Sequence, residues 1–214
     1  LNLTDLDVTP MHIAFDEACK SAQERGIRVT GSELVGLVPK QALLDAADFF
    51  LRRQQRSLGL PEREKIKIAV KSLGLDDLAP FDPQKRVIEY QLANAADSRL
   101  AHMDLERFSE ETARETPAPG GGSVAAYVGA LGAALGTMVA NLSAHKRGWD
   151  ERWEEFSTWA EKGEAFRRDL LRLVDEDTRA YDGILAAMQL PKENEAQKAA
   201  RKDAIREATK GAIL

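Results

Sequence analysis

A run of twenty residues without a charged side chain, from 123 to 142, constrains the fold of this chain more than any other feature. Its length suits a membrane-spanning helix, and Gly132 and Gly136 have the spacing of a membrane helix dimer motif. Alanine and glycine dominate the run, however, and Thr137 and Asn141 are polar. The run therefore favours a central bundle helix that packs through its small face, with membrane association as the alternative.

The two parts of the chain differ in their periodicity. From residue 100 onward apolar residues recur at helical spacing, which predicts only helices, at 104–115, 123–143, 149–190 and 193–214. Before residue 93, β-branched or alternating runs predict strands at 1–6, 27–38 and 86–90, and helical patterns lie between them at 10–25, 40–54 and 61–73. The chain is therefore expected to be α+β, with its mixed part first and residues 93–103 as a linker.

Composition excludes several classes of protein. With 43% hydrophobic and 30% charged residues the chain is globular, and a net charge of −5 with dispersed Lys and Arg gives no broad cationic surface for nucleic acid. Cys19 has no partner for a disulfide or a metal site, and no signal-peptide pattern opens the sequence, so a cytoplasmic setting is expected. Leu1 at the start and a helical pattern at the last residues suggest that both ends are cuts within a longer chain.

Three successive glycines lead directly into the apolar helix. Gly120, Gly121 and Gly122 would let backbone amides approach a ligand, and the N-terminus of a helix favours a carboxylate or phosphate. No Gly-Lys-Ser/Thr follows, so this is not a nucleotide-binding phosphate loop. The alternative is a tight turn between helices in which Ser123 is the N-cap.

An aspartate interrupts the apolar stripe of the long helix predicted at 149–190. Asp177 occupies a stripe position and is expected to point inward, where burial would raise the pKa of its carboxyl into the range useful for proton transfer. Asp175 lies on a different face. The alternative is that a neighbouring hydroxyl or Arg179 satisfies the carboxylate of Asp177. The stripe consists of Leu170, Val174, position 177, Tyr181, Ile184 and Met188.

A short basic and aromatic segment follows the apolar run at 145–149. Lys146 could bind an anionic substrate tail, and Trp149 could stack on a flat ring. The alternative is a helix C-terminus at which Lys146 and Arg147 interact with the helix dipole. His12 and His102 are isolated in sequence, so neither a metal site nor a Ser-His-Asp arrangement is predicted.

Motifs along nearly the whole chain resemble one family, formiminotransferase-cyclodeaminase. Residues 2–5, 8–12, 29–39, 73–75 and 86–90 are similar to the second subdomain of the formiminotransferase fold, and residues 117–126, 175–182 and 190–192 are similar to the cyclodeaminase domain. The resemblance implies a ferredoxin-like α/β transferase subdomain at 1–92, a linker at 93–103, and an all-α helical-bundle cyclodeaminase domain at 104–214, truncated at its C-terminus.

The resemblance also implies a two-step folate reaction in histidine degradation. A formimino group passes from N-formimino-L-glutamate to tetrahydrofolate or its polyglutamate, and ring closure then gives methenyltetrahydrofolate and ammonia. Tetrahydrofolate is the carrier and no metal is expected. The family's catalytic histidine for the transfer step would lie upstream of Leu1, so His12 is not given that role.

For the second step, Asp177 is the first choice of catalytic residue and Asp175 the second. Gly120, Gly121, Gly122 and Ser123 would bind the folate, and Lys146 the carboxylates of its tail. The family forms a ring-shaped homo-oligomer, which suits the small-residue helix surface between Val124 and Val139. The alternative is an inactive helical dimerisation module derived from this family.

Overall fold

The computed structural model describes residues 1–92 and 100–213, and helix accounts for 68% of the described chain. The helices are α1 (Met11–Glu24), α2 (Lys40–Arg53), α3 (Glu62–Leu73), α4 (Pro83–Arg86), α5 (Ile88–Leu92), α6 (Leu105–Ala113), α7 (Gly121–Ala144), α8 (Trp153–Met188) and α9 (Glu195–Ile213), with a 3-10 turn at Asp150–Arg152 before α8.

The predicted α+β class, with a ferredoxin-like α/β subdomain, is wrong. Within 1–92 and 100–213 the structure contains no strand, and the extended backbone at 27–38 makes only an isolated parallel bridge between Val38 and Val87. A β-branched segment becomes a strand only when a neighbouring segment pairs with it. The segment predicted as the last strand, 86–90, is largely helical instead, and it follows a helical turn that Asp82 caps and Pro83 opens.

The chain divides into two compact units. The first comprises the described residues of Leu1–Asn94 with Gly136–Glu164, and the second those of Ala95–Leu135 with Ala165–Leu214. Each of the long helices α7 and α8 therefore contributes to both units. The division is not the same as the predicted boundary at 93–103, which stays a prediction.

The first unit has its core between α2 and α3. Leu43, Ala46 and Ala69 are fully buried there, and Val38 and Val87 close the core at the isolated bridge. Gly74, at a φ of +62°, ends α3 in the left-handed conformation that favours glycine.

A loop after α2 joins the first half of the sequence to α7 and α8 within this unit. The backbone N–H of Leu58 donates to the Ser157 hydroxyl at 2.9 Å, and the Asn141 amide nitrogen donates to the Gly59 carbonyl at 2.8 Å. A Cβ on Gly59 would overlap Ala160 of α8, so this contact requires glycine. The loop is buried, and it binds both long helices to residues 57–59.

In the second unit, Asp104 caps α6 by accepting a hydrogen bond from the Arg107 N–H at 2.8 Å. The ring of Phe108 on α6 lies 5.3 Å from that of Tyr127 on α7. Together these contacts fix α6 beside the first turns of α7, where the glycine run lies.

Helix α7 is the charge-free run that the sequence placed at 123–143. Its small residues Ala130, Ala140 and Ala144 are buried, whereas most of its large apolar side chains, from Val128 to Leu142, are exposed. Of the described helices it alone is long and apolar enough to cross a membrane, and only 28% of its most apolar stretch is buried. The helix packs through its small face, as expected, but this chain does not enclose it.

Candidate functional site

The first turn of α7 and the middle of α8 meet at Ser123 and Asp177 in the second unit. The backbone N–H of Ser123 donates to Asp177 Oδ2 at 2.8 Å, and the Ser123 hydroxyl lies 3.0 Å from the same oxygen. That hydroxyl is also 2.8 Å from the Val174 carbonyl oxygen and 3.3 Å from Thr178 Oγ1. Ser123 is fully buried, so these contacts replace its hydration.

Asp177 supplies the anion that the N-terminus of α7 favours. The helix opens with a hydrogen bond from the Val124 N–H to the Gly120 carbonyl, at 3.2 Å, so Ser123 is in its first turn. The N–H groups of a first turn have no partner within the helix, and the helix dipole favours negative charge there. An aspartate from a different helix therefore does what an N-cap side chain normally does.

The three glycines differ in what a side chain would meet. A Cβ on Gly122 would overlap the carboxylate of Asp177, whereas one on Gly121 would meet nothing and one on Gly120 would lie 3.7 Å from the Pro117 carbonyl. Only Gly122 is therefore required by the local packing. Part of the anion site predicted for a ligand is occupied by the protein's own carboxylate, and the N–H groups of Gly121 and Gly122 remain beside it.

The predicted inward orientation of Asp177 is wrong, because its side chain is exposed. Of the predicted stripe, Val174 is fully buried, whereas Tyr181 and Met188 are exposed. Earlier on α8, the small residue Ala160 is fully buried. Burial therefore does not prepare Asp177 for proton transfer, but its carboxylate does lie beside the glycine run.

The buried aspartate of α8 is Asp175, which is 7% exposed. Its Oδ1 accepts the N–H of Leu100 at 2.8 Å and its Oδ2 accepts the N–H of Ala101 at 3.2 Å. Hydrogen bonds to both oxygens compensate the burial of the carboxylate. Asp175 therefore holds the segment just before α6, and it lies on a different face of α8 from Asp177.

Lys146 belongs to the first unit, and its described contacts lie there. Its Nζ is 4.2 Å from the centre of the Trp149 ring, and that ring stacks on Phe156 at 5.2 Å with an angle of 10° between the planes. Arg152 also contacts this pair, at 5.3 Å from the Trp149 ring. The indole surface that the sequence suggested for a flat ligand is thus covered by the protein's own side chains.

The histidines do not form a second site. His12 is buried, and its ring lies 4.8 Å from that of Phe49. Burial lowers the pKa of His12, and the nearby charge of Asp45 opposes that shift only in part. No group of three or more metal-ligating side chains occurs among the residues that the structure describes.

Two participants in the site were not identified from the sequence, Thr178 and the carbonyl of Val174. Both lie on the face of α8 that meets Ser123, one residue after and three residues before Asp177. Thr178 could have been found from the sequence, because a neighbouring hydroxyl was one expected partner of the Asp177 carboxylate.

Family models match both halves of the chain. One, described as Formiminotransferase domain, matches residues 1–93, and one described as Formiminotransferase-cyclodeaminase matches residues 104–214. The second match covers more than half of the chain.

Similar proteins carry related names. Formimidoyltransferase-cyclodeaminase of Sus scrofa is 40% identical over 99% of this chain, which spans 39% of that protein's length. Methenyltetrahydrofolate cyclohydrolase of Methylorubrum extorquens is 41% identical over 108 residues, which is 50% of this chain and 52% of that protein. Glutamate formimidoyltransferase of Thermoplasma acidophilum is 40% identical over 52 residues, or 24% of this chain and 17% of that protein.

The difference between Gly121 and Gly122 gives a matched test of the site. Gly122→Ala should displace the Asp177 carboxylate and break its hydrogen bonds, which should lower the free energy of unfolding by about 1.5–3 kcal/mol. The higher helix propensity of alanine should restore about 1 kcal/mol of this loss. Gly121→Ala has no such cost, so urea denaturation should find it the more stable variant. Equal stabilities would contradict the Gly122–Asp177 contact.

Proposed function

Because the chain belongs to the formiminotransferase-cyclodeaminase family, we propose that it acts in the folate-dependent one-carbon step of histidine degradation. The transferase part moves a formimino group from N-formimino-L-glutamate to tetrahydrofolate, and the cyclodeaminase part closes the ring to 5,10-methenyltetrahydrofolate with release of ammonia. The observation that carries this proposal is the match of the two family models, in this order, along one chain.

Ring closure requires two proton transfers. N10 of the folate attacks the carbon of the protonated formimino group, CH=NH2+, and loses a proton. The NH2 group that results gains a proton and departs as ammonia, which leaves the positive charge on methenyltetrahydrofolate. A new N10–carbon bond replaces the carbon–nitrogen bond to the leaving group. One carboxyl group that accepts the first proton and donates it in the second step can serve both transfers.

Asp177 is the aspartate suited to this role. Its side chain is exposed, so its carboxyl can exchange a proton with a bound molecule, and the hydrogen bonds from Ser123 hold it in place through Oδ2. Asp175 is buried and uses both oxygens on backbone N–H groups, so we assign it a positioning role. The N–H groups of Gly121 and Gly122 lie at the same helix end, where they can donate to an anionic group of the folate.

In the transferase part we propose that residues 1–92 form one wall of the folate cleft. A cavity of about 500 Å³ lies between α1 and the extended segment 29–39, with a mostly apolar lining that includes Met11, Phe15, Leu34 and Leu73. Its volume is that of a typical small-molecule site. We assign no acid or base to this wall. We assign Lys146, an exposed residue, to the carboxylates of the folate tail.

Replacing each aspartate separately distinguishes catalysis from support. Asp177→Asn keeps an acceptor for the Ser123 N–H but removes the proton carrier, so ammonia release from formimidoyltetrahydrofolate should fall by at least about a hundredfold in a protein that still folds. Asp175→Asn should instead lower the free energy of unfolding by about 1–3 kcal/mol, because the amide cannot accept both N–H groups.

Asp169→Asn, at an exposed aspartate of the same helix, is the control and should keep wild-type ammonia release. Full activity of Asp177→Asn would contradict the catalytic assignment. A wild-type protein that folds but releases no ammonia would favour the alternative of an inactive dimerisation module. If the protein instead hydrated methenyltetrahydrofolate without releasing ammonia from the formimino substrate, the cyclohydrolase chemistry named for the Methylorubrum relative would replace ring closure.

We also propose that the protein self-associates through α7. Five large apolar side chains alternate at steps of three and four residues and are all exposed, the spacing with which helices pair in coiled coils. We call this the α7 seam; it consists of Val128, Leu131, Leu135, Met138 and Leu142. The α7 helix of a second copy can cover such a seam. A bilayer would not require the exposed apolar residues to follow this spacing.

Disrupting the α7 seam should dissociate the assembly. Leu135→Glu places a charge in the seam, so light scattering should give a smaller particle than for the wild-type protein in detergent-free buffer. Leu78→Glu alters an equally exposed leucine outside the seam and should leave the mass unchanged. A wild-type monomer would contradict self-association, and a protein soluble only in detergent would favour the membrane alternative.

A further inference from the structure

The hydroxyl of Ser123 has more acceptors within reach than it has protons. The Val174 carbonyl oxygen, 2.8 Å from the Ser123 hydroxyl, can only accept a hydrogen bond. An ionised Asp177 carboxylate, whose Oδ2 is 3.0 Å away, can also only accept. A serine hydroxyl has one proton to donate and two lone pairs that accept. It therefore donates to Asp177 or to Val174, one at a time.

Each choice fits one protonation state of Asp177. When the carboxylate is ionised, the Ser123 hydroxyl donates to Oδ2 alongside the Ser123 N–H. When Asp177 carries a proton on that oxygen, its O–H donates to the Ser123 oxygen, and the Ser123 hydroxyl turns to the Val174 carbonyl. Thr178 Oγ1, at 3.3 Å, can donate to the Ser123 oxygen in the first arrangement. In both arrangements the buried hydroxyl of Ser123 donates and accepts.

We propose that Ser123 is a positioning residue whose hydroxyl changes its acceptor between Asp177 and the Val174 carbonyl, so that the Asp177 side chain stays in place in both of its protonation states. This inference rests on the proposed function of Asp177 as the proton carrier. It goes beyond capping, because the Ser123 N–H can only donate, whereas the Ser123 hydroxyl can also accept a hydrogen bond from a protonated Oδ2. A group that is charged and neutral in turn needs a partner that can both donate and accept.

Ser123→Ala removes the switch but keeps the backbone N–H that caps α7. We expect kcat for ammonia release to fall roughly ten- to hundredfold, because one hydrogen bond to a charged group is lost. We expect KM to be nearly unchanged. Ser123→Thr keeps the hydroxyl and should restore most of kcat, whereas Ser123→Cys, with a weak donor of similar size, should not. Ser143→Ala, the same change on the same helix, is the control.

The outcomes separate this inference from the one on which it depends. Loss of activity in Asp177→Asn together with full kcat in Ser123→Ala would overturn the role of Ser123 alone. Activity retained in Asp177→Asn would overturn the proposed role of Asp177 as the proton carrier. If Ser123→Ala does not fold, equal kcat for the threonine and cysteine variants overturns the inference, and a higher kcat for threonine supports it.

Discussion

The carboxylate of Asp177 at the N-terminus of α7 is the interaction on which the arrangement of the second unit depends. It supplies the negative charge that the free N–H groups of a first helical turn favour, and it comes from the middle of α8 rather than from the preceding loop. Its presence explains why residue 122 is glycine and why the hydroxyl of Ser123 is buried among oxygen atoms. One contact therefore fixes the spacing of two helices and leaves a carboxylate oxygen exposed beside backbone N–H groups.

Two aspartates two residues apart on one helix have opposite surroundings. Asp175 faces the interior and is saturated by the N–H groups of Leu100 and Ala101, while Asp177 faces the glycine turn and remains exposed. The first holds the segment before α6, and the second holds the start of α7. The anchoring of both segments by α8 gives the exposed carboxylate a fixed position, which proton transfer to a bound folate requires.

The sequence predicted α1 to α3 and α6 to α9, though not α4 and α5, because the signals of these helices are local. Pro10 precedes α1, Gly74 ends α3 and Asp104 caps α6, and all three positions are read directly from residue type. The predicted strands failed because pairing is not local: the segment 27–38 bridges Val87 at a single residue, and the described chain offers it no other strand. The fold class was therefore predicted wrongly, although the family was identified correctly.

The structure brings Asp177 and Gly122 together, but not through the burial that the sequence predicted. The prediction placed the carboxylate inward on an apolar stripe, of which Val174 is buried but Tyr181 and Met188 are exposed. Helical spacing alone does not show which members of such a stripe are covered. Trp149 likewise was a plausible ligand platform until Lys146 and Phe156 were found on its ring.

Amide hydrogen exchange at Ser123 tests the Asp177 contact most directly. The account predicts that the Ser123 N–H, which donates to Asp177 Oδ2 at 2.8 Å, is protected in the wild-type protein and exchanges much faster in Asp177→Ala, while amides in the middle of α7 keep their protection. The same Ser123 exchange rate in both proteins would show that Asp177 does not hold the helix start, and would contradict the account at its centre.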